Sequence, residues 1–226
     1  MSGESSTFFD KFSKNPSCET VLNIEELLRF SGVIIEFCGN ISLILLILSI
    51  ELQSVALAPV KKDVGGNIKK IDKARHKYNV TTVEEMLIKE IEVKVNKNSD
   101  SGTMALLWLK RAIELIIEVL AGLAESPNLE MKDIVYPAYE RTLMKHHNII
   151  MKSAFSVGLR LFPDKKTFLL RLAYNQPNME TQVLKSMKEF VDEYRTITDP
   201  LHQLLVKYGA EGTPTPEADA AAVSQQ

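Results

Sequence analysis

The feature that most restricts the fold is an apolar run at positions 41–50, Ile-Ser-Leu-Ile-Leu-Leu-Ile-Leu-Ser-Ile. Wound into a helix, this run has apolar side chains on every face, so it must be buried on all sides in a protein core or lie in a membrane. Extension back to Val33 gives 18 residues, close to membrane-spanning length, but adds Glu36 and Asn40. A carboxylate near the middle of a bilayer costs about 2.5–3.5 kcal/mol. The run therefore predicts a helix in the middle of an all-α core.

Helical patterns cover most of the remaining sequence, and no segment alternates convincingly like a strand. Asn23 with Glu26, and Thr82 with Glu85, have the spacing of helix-capping pairs. The predicted helices run from 23 to a break at 39–40, from there to about 57, and over 63–78, 82–95 and 103–124. A further one starts near 131 and is kinked or restarted by Pro137, and the last two cover 165–174 and 179–208, the latter interrupted at Pro200.

The two ends of the chain lack the apolar content of the middle. Near the start, only Phe8, Phe9 and Phe12 are candidates to pack on the body, and the tail from Gly209 is mostly small and polar. Such a tail cannot bury enough surface to order itself. We predict a flexible segment at 1–20, one helical domain at 21–208, and a disordered tail at 209–226.

Charge and cysteine content narrow the function. With 27 Lys and Arg against 29 Asp and Glu, the chain has no overall basic field to hold nucleic acid. Cys18 and Cys38 are too few for a disulfide framework and lack metal-ligand spacing, which favours free thiols in a reducing compartment. The first residues show no signal-peptide pattern. These observations predict a cytoplasmic protein without a metal site.

A stripe of polar residues is the best candidate for a binding site. Asp63, Asn67 and Lys70 are spaced i, i+4 and i+7, so in a helix they share one face within about 60°. Lys69 is a substitute for Lys70 if the helix phase differs by one residue. An acceptor, an amide and a cation in a row can bind a ligand rich in hydroxyls, and Trp108 offers a flat face for a sugar ring. Such a stripe alone is most often a solvated helix face.

Three segments around these residues resemble the glycolipid transfer protein family. They are Val-Lys-Lys-Asp-Val-Gly-Gly-Asn-Ile at 60–68, Ala-Leu-Leu-Trp-Leu-Lys-Arg at 105–111, and Ala-Tyr-Glu-Arg-Thr-Leu-Met-Lys-His-His at 138–147. The resemblance extends over about residues 20–208. It implies an all-α, single-domain, two-layer helical bundle that carries one glycosphingolipid between membranes, without a cofactor and without catalysis.

The resemblance also implies roles for individual residues. Asp63 and Asn67 would bind sugar hydroxyls, Lys70 would add a hydrogen bond, and Trp108 would lie under the first sugar. His147 would donate to the carbonyl of the ceramide amide, and Asp63 would also accept from the amide N–H. The hydrocarbon chains need a dry tunnel, for which the candidates are Leu45, Leu46, Leu57, Val60, Met104, Ile113, Phe155 and Leu159.

The sequence departs from the family pattern in two places. Ile149 stands where the family has a membrane-facing tryptophan, which leaves Ile149 and Ile150 with Lys145 and Lys152 as a weaker patch for transient peripheral membrane contact. The family's aromatic C-terminal end is missing, so Tyr208 is a doubtful counterpart. We expect a monomer.

Other functions remain open at this stage. One is transfer or sensing of ceramide-1-phosphate or another sphingolipid; Trp108 argues against a phosphate, although Lys70 and Arg111 could supply cations. A helical protein-interaction adaptor would leave the polar stripe without a purpose. A hydrolase lacks a recognisable metal or nucleophile spacing; its residues would be His146, His147, Asp63 and Glu140.

Overall fold

The computed structural model describes residues 6–11, 22–47, 53–126, 128–160 and 162–212, and only the backbone at 11, 34, 37–47 and 53–61. The described residues form eight α-helices and two 3-10 helices; they contain no strand, and one isolated bridge joins Asn23 to Thr82. The α-helices are α1 (Ile24–Ile47), α2 (Gln53–Tyr78), α3 (Val83–Glu92), α4 (Gly102–Glu125), α5 (Met131–Arg141), α6 (Ile149–Arg160), α7 (Lys165–Leu172) and α8 (Glu180–Lys207), and the 3-10 helices are Phe8–Lys11 and Met144–His146. The all-α prediction is confirmed.

Helix α4 lies at the centre of the described core. It packs mainly against α2 and α8 and also contacts α5, α3 and α1, whereas α1 packs mainly against α2. Between Gly102 and Ile113, every side chain of α4 except Trp108 is buried. The sequence analysis placed residues 41–50 in the middle of the core; positions 41–47 continue α1, their side chains are outside the described part, and 48–50 are outside it altogether.

The start of α4 is held by side chains that satisfy its free N–H groups. Ser101 Oγ accepts from the N–H of Met104 at 3.0 Å. The buried Glu90 carboxylate accepts from the N–H groups of Gly102 and Thr103, both at 2.8 Å, and from the Thr103 hydroxyl at 2.7 Å. A negative charge is also favourable at a helix N-terminus. These bonds fix the end of the helix that carries Trp108.

A side chain at position 102 would not fit. A Cβ there would lie 2.6 Å from the Met86 sulfur and 2.8 Å from the Ala74 Cβ, so only glycine allows α2, α3 and α4 to approach this closely. This close packing sets the distance between the stripe on α2 and the tryptophan on α4.

The capping predictions are confirmed at two helix starts. Asn23 Oδ1 accepts from the N–H groups of Glu25 and Glu26 at 2.8 and 3.2 Å. Thr82 and Glu85 form a reciprocal capping box, with the Glu85 N–H donating to Thr82 Oγ1 at 3.2 Å and the Thr82 N–H donating to Glu85 Oε2 at 3.1 Å.

Several predicted helix limits are wrong. α1 continues through Gly39 and Asn40, α2 begins at Gln53 with Pro59 inside it, and α8 is continuous across Pro200. A helical glycine costs about 1 kcal/mol and an interior proline about 3 kcal/mol, which packing of long helices can offset. In α8 the buried stripe continues on both sides of the proline, at Ile197, Leu201 and Leu205. Helix α6 was not predicted, and the helix around Pro137 ends at Arg141.

The described residues nearest to both chain ends, 6–11 and 208–212, contact the helical domain. Phe8 and Phe9 are buried, and the Phe9 ring lies 5.1 Å from that of Phe190 on α8; Phe12 is outside the described residues. Ala210 is buried and Glu211 pairs with Lys110 at 3.1 Å, so the contacts of the helical domain continue past residue 208. This differs from the tail expected from position 209. Residues 213–226 lie outside the description, and the limits of the domain stay a prediction.

None of the helices within the described ranges has both the length and the apolar content that crossing a bilayer requires.

Candidate functional site

The polar stripe lies on α2, next to α4. Asn67 is only 5% exposed, and its side-chain amide donates to Asp63 Oδ2 at 3.2 Å. Asp63 itself is exposed. The i, i+4 spacing therefore produces a coupled pair in which an exposed carboxylate is oriented by a buried amide. This bond engages one donor of Asn67 and directs its carbonyl oxygen away from Asp63.

Lys70 does not extend toward this pair. Its ammonium group donates to the carbonyl oxygen of Ser99 at 2.8 Å and pairs with Asp100 Oδ1 at 3.2 Å. The shared helix face was correctly predicted, but a lysine side chain is long enough to bind the loop before α4 instead. Lys69 is exposed.

The two glycines inside the stripe leave space above α2. A Cβ at Gly66 would meet no described atom within 4 Å, and one at Gly65 would only reach ordinary contact with Ile35 at 4.0 Å. No neighbouring helix in the described part of the chain requires glycine here, so the surface beside Asp63 and Asn67 can be approached by a ligand.

Trp108 and His147 come together as an aromatic pair. Their ring centroids lie 6.1 Å apart with an interplanar angle of 27°. The His147 Nδ1 atom lies 2.9 Å from the Tyr139 hydroxyl, and the Tyr139 ring stacks on Phe155 of α6 at 3.6 Å. A continuous row of rings thus connects α4, α5, the segment before α6, and α6.

The segment that carries His147 is fixed by local hydrogen bonds. The Thr142 hydroxyl donates to the Ala138 carbonyl at 2.8 Å after α5 ends. Asn148 Oδ1 accepts from the N–H of Met151 at 2.9 Å, as an N-terminal cap of α6 does. A short 3-10 turn lies between them, so the histidine is on a constrained bend and not on a helix face.

Electrostatics keep His147 and Tyr139 neutral. Burial, reinforced by Lys152, lowers the pKa of His147 below its ordinary value of 6.5. Burial, and then Tyr136, raises the pKa of Tyr139 to about 12. When the tyrosine hydroxyl donates to Nδ1, the proton of the neutral imidazole is on Nε2, which can donate to a ligand carbonyl. The sequence analysis missed Tyr139, although it lies in the segment 138–147.

His146 belongs to a different environment. Burial, followed by the charge of Arg111, lowers the pKa of His146 to about 4. It lines a cavity of about 410 Å³ with Arg111, whereas His147 does not. Glu140 is exposed. Among the residues that the structure covers, no group of three or more His, Cys, Asp and Glu side chains could hold a metal ion.

Arg111 connects the two regions. Its guanidinium carbon lies 5.5 Å from the centre of the Trp108 ring. The side chain is 1% exposed, and none of its three nitrogen atoms has a hydrogen-bond partner among the described residues. Burial lowers the pKa of Arg111, and the charges of Glu211 and Glu114 oppose that shift. From the sequence, Arg111 was expected only as a candidate cation for a phosphate.

The tunnel candidates with described side chains lie in or against the core. Met104 and Ile113 are buried, and Phe155 and Leu159 of α6 are partly buried against the core. The other four, Leu45, Leu46, Leu57 and Val60, lie where only the backbone is described.

An all-α fold that places a polar, aromatic patch over an apolar core is typical of a lipid-binding protein. Over residues 33–174 the chain matches the family described as Glycolipid transfer protein (GLTP), and it belongs to that family. The predictions of the family, of its fold, and of lipid transfer instead of catalysis are confirmed.

Individual relatives agree with this assignment. The chain is 31% identical to Glycolipid transfer protein 1 of Arabidopsis thaliana over 168 residues, which cover 72% of this chain and 79% of that protein. It is similar to a structure that describes how FAPP2 selects simple glycosphingolipids using the GLTP fold, with a TM-score of 0.74 at 20% identity, covering 95% of this chain and 98% of that one. The structure of human ceramide-1-phosphate transfer protein in complex with 12:0 ceramide-1-phosphate is similar with a TM-score of 0.73 at 15% identity, covering 92% of this chain and 96% of that one. Fold similarity alone therefore does not select a headgroup.

Proposed function

We propose that this protein carries a glycosphingolipid between membranes, with the sugar at Asp63, Asn67 and Trp108 and the ceramide amide at His147 and Asp63. The observation that carries the proposal is the pairing of partly exposed Trp108 with His147, together with the Asn67–Asp63 pair on α2, the helix that packs against α4. A sugar ring needs an apolar face and directed acceptors at the same place, and these two pairs supply both.

The amide of the ceramide would be bound by two groups of opposite character. Asp63 accepts from the amide N–H, while the Nε2 proton of His147 is donated to the amide carbonyl. The Tyr139 hydroxyl, 2.9 Å from Nδ1, favours the tautomer that this role requires. Lys70 joins the headgroup site only if its ammonium leaves Ser99 and Asp100, so we assign it a secondary role.

The hydrocarbon chains would enter the apolar interior between helices. Each methylene kept from water contributes about 0.8 kcal/mol, so both chains must be enclosed. Helix α6 has no fully buried residue and packs on α2 and α5. We propose that displacement of α6, which brings Phe155 and Leu159 with it, opens the path.

The membrane contact would be made at the start of α6. Ile149 and Ile150 are 76% and 73% exposed, and Lys145 and Lys152 flank them. Two apolar side chains beside two cations suit the interface of a bilayer with anionic headgroups. We propose a transient peripheral contact by a cytoplasmic monomer.

The test is transfer of galactosylceramide between vesicles by the Asp63→Val variant. Loss of charge-assisted hydrogen bonds to sugar and amide, each worth about 1.5–3 kcal/mol, should reduce transfer by at least about a hundredfold. Asp192→Val on α8 is the matched control, since that exposed aspartate is outside the site. Circular dichroism should be unchanged in both variants.

The same assay distinguishes the headgroups. Wild-type protein should transfer galactosylceramide well and ceramide-1-phosphate poorly, because the proposed headgroup site offers the Trp108 ring, whereas a phosphate would need cations. Wild-type rates for Asp63→Val, or preferential transfer of ceramide-1-phosphate, would refute the assignment of the sugar site.

A further inference from the structure

A second candidate site, a cavity, adjoins the proposed headgroup site at Arg111, whose guanidinium carbon lies 5.5 Å from the centre of the Trp108 ring. The cavity has a volume of about 410 Å³ and is lined by residues of α4, α8, the end of α5 with the segment after it, and Glu211. Asp63, Asn67, Lys70, Trp108 and His147 do not line it. The volume is within the range of sites for small molecules, so the cavity can hold more than a few water molecules.

The cavity is lined by a buried cation, Arg111, without a hydrogen-bond partner among the described residues. Arg111 is 1% exposed, and its Nε, Nη1 and Nη2 atoms make no hydrogen bond to any described residue. Leaving a buried charge unpaired is strongly unfavourable. A guanidinium group presents a planar fork that fits two oxygen atoms of a phosphate. A bound anion would satisfy these donors.

The other charges around the cavity leave further cations available. Lys110 pairs with Glu114 at 2.8 Å and with Glu211 at 3.1 Å, and Arg141 pairs with Glu118 at 3.0 Å. Lys145 and Arg195 also line the cavity, and neither forms an ion pair within the described part of the chain.

The acidic lining residues oppose an anion at two points. Asp199 contributes a negative charge to the wall. Glu211 uses Oε1 to accept from Lys110, while its buried Oε2 has no partner among the described atoms. The Glu211 carboxylate therefore lines the cavity beside its cations, where it would compete with a bound anion.

We propose that this cavity binds a phosphate monoester, with Arg111 as its buried ligand and Lys145 and Arg195 at its rim, independently of the glycolipid site. Arg111 has no hydrogen-bond partner among the described residues, and Lys145 and Arg195 form no ion pair there. Three such cations, two of them guanidinium groups, suit a dianion better than a single carboxylate. The phosphate is either that of a soluble molecule or that of a lipid headgroup, since both present the same terminal oxygen atoms.

The first arm of the test is calorimetric titration of the full chain with inorganic phosphate, with chloride at equal ionic strength as the reference. Arg195→Gln and Lys145→Gln should each weaken binding about tenfold, and Glu211→Gln should strengthen it. Lys185→Gln, an exposed lysine on α8 outside the cavity, is the matched control. Asp63→Val should bind phosphate like the wild type, which separates this site from the glycolipid site.

Arg111→Met should abolish phosphate binding. Because Arg111 is buried, the melting temperature of this variant is measured as well, to show that the protein is folded. Arg195→Gln tests the same site from the rim, where the side chain is exposed and the core is not disturbed.

The second arm uses phosphatidylcholine vesicles with and without phosphatidic acid. Because the wild type is also expected to bind phosphatidylcholine through Ile149 and Ile150, the quantity compared is the additional binding that phosphatidic acid causes. Phosphate binding that weakens in Arg195→Gln, without such additional vesicle binding, identifies a soluble ligand. Additional binding to vesicles with phosphatidic acid that is reduced in the same variant identifies a lipid phosphate. Absence of binding in both arms, or equal binding by the wild type and Arg195→Gln, would overturn the proposal.

Discussion

At the scale of single residues, contacts within one helix could be predicted from the sequence, whereas contacts between distant segments could not. The Asn67–Asp63 pair follows from i, i+4 periodicity, because neighbours on one helix face need no tertiary information. The Lys70 contact with Asp100 depends on where the loop before α4 lies, which spacing does not encode. Trp108 and His147 were predicted as site residues from the family resemblance. Tyr139 was not predicted, because its contact with His147 depends on the bend after α5, which spacing does not encode.

The first residue-level prediction concerns Tyr139. Tyr139→Phe keeps the stacking on Phe155 but removes the hydroxyl 2.9 Å from His147 Nδ1. Loss of one hydrogen bond that orients the imidazole should reduce galactosylceramide transfer by about three- to tenfold, corresponding to about 0.5–1.5 kcal/mol. Tyr136→Phe, on the exposed side of the same helix, should transfer at the wild-type rate. Transfer by Tyr139→Phe at that rate would exclude a role for this hydroxyl.

The second concerns His146 and pH. In the unfolded chain this imidazole is protonated below about pH 6.5. In the folded protein, burial lowers its pKa to about 4, so it stays neutral until the pH falls to about 4. The unfolded state therefore binds more protons between these values, and the free energy of unfolding should fall as the pH decreases through this window. Urea denaturation at several pH values should show a smaller decrease for His146→Gln than for the wild type or for His76→Gln, an exposed histidine. Equal decreases in the free energy of unfolding of all three proteins would show that His146 does not have the lowered pKa.

At the scale of elements, the sequence predicted that helices form better than it predicted where they stop. Helix caps are local, and both predicted ones are present: Asn23 caps α1, and Thr82 with Glu85 forms a complete capping box. Gly39, Pro59 and Pro200 are local interruption signals too, but their cost of about 1–3 kcal/mol is small beside the burial that long helices provide. Helix α6 was missed because it has no fully buried residue and its apolar side chains include the exposed Ile149, Ile150 and Val157.

Helix α6 gives the element-level prediction. Replacing Ile149 and Ile150 together by serine removes two exposed apolar side chains from the proposed membrane contact without opening the core. Binding to phosphatidylcholine vesicles, measured by sedimentation, should fall by at least about tenfold, since each side chain contributes about 1 kcal/mol or more at an interface. Val157→Ser, on the same helix, is the control. An unchanged vesicle affinity would move the docking surface elsewhere.

At the scale of the whole molecule, the C-terminal segment joins distant parts of the chain. After α8, Ala210 is buried and Glu211 reaches Lys110 of α4, while Lys207 and Tyr208 bind Glu84 of α3 at 2.7 and 2.6 Å. The tail was predicted to start at position 209 because composition reports which residue types are present and not which contacts they form. The single helical domain, by contrast, was predictable from apolar content and periodicity.

This segment leads to a truncation prediction. A chain ending at Gly212 should melt like the full chain. A chain ending at Gly209 loses buried Ala210 and leaves the nearly buried Lys110 with Glu114 as its acidic partner, which should cost about 1–3 kcal/mol of unfolding free energy. Thermal denaturation of the two proteins measures the difference. Identical melting would show that Glu211 contributes nothing to stability.

The aromatic row at the proposed site has an optical consequence. Trp108 is the only tryptophan in the chain, and its ring lies close to both the imidazole of His147 and the guanidinium of Arg111. All indole emission therefore originates at one spot, beside the groups expected to bind sugar and close to the arginine of the second cavity. If sugar binds at Trp108 as proposed, the wavelength and intensity of this single emission should change when the site is occupied, so no label is needed to measure binding.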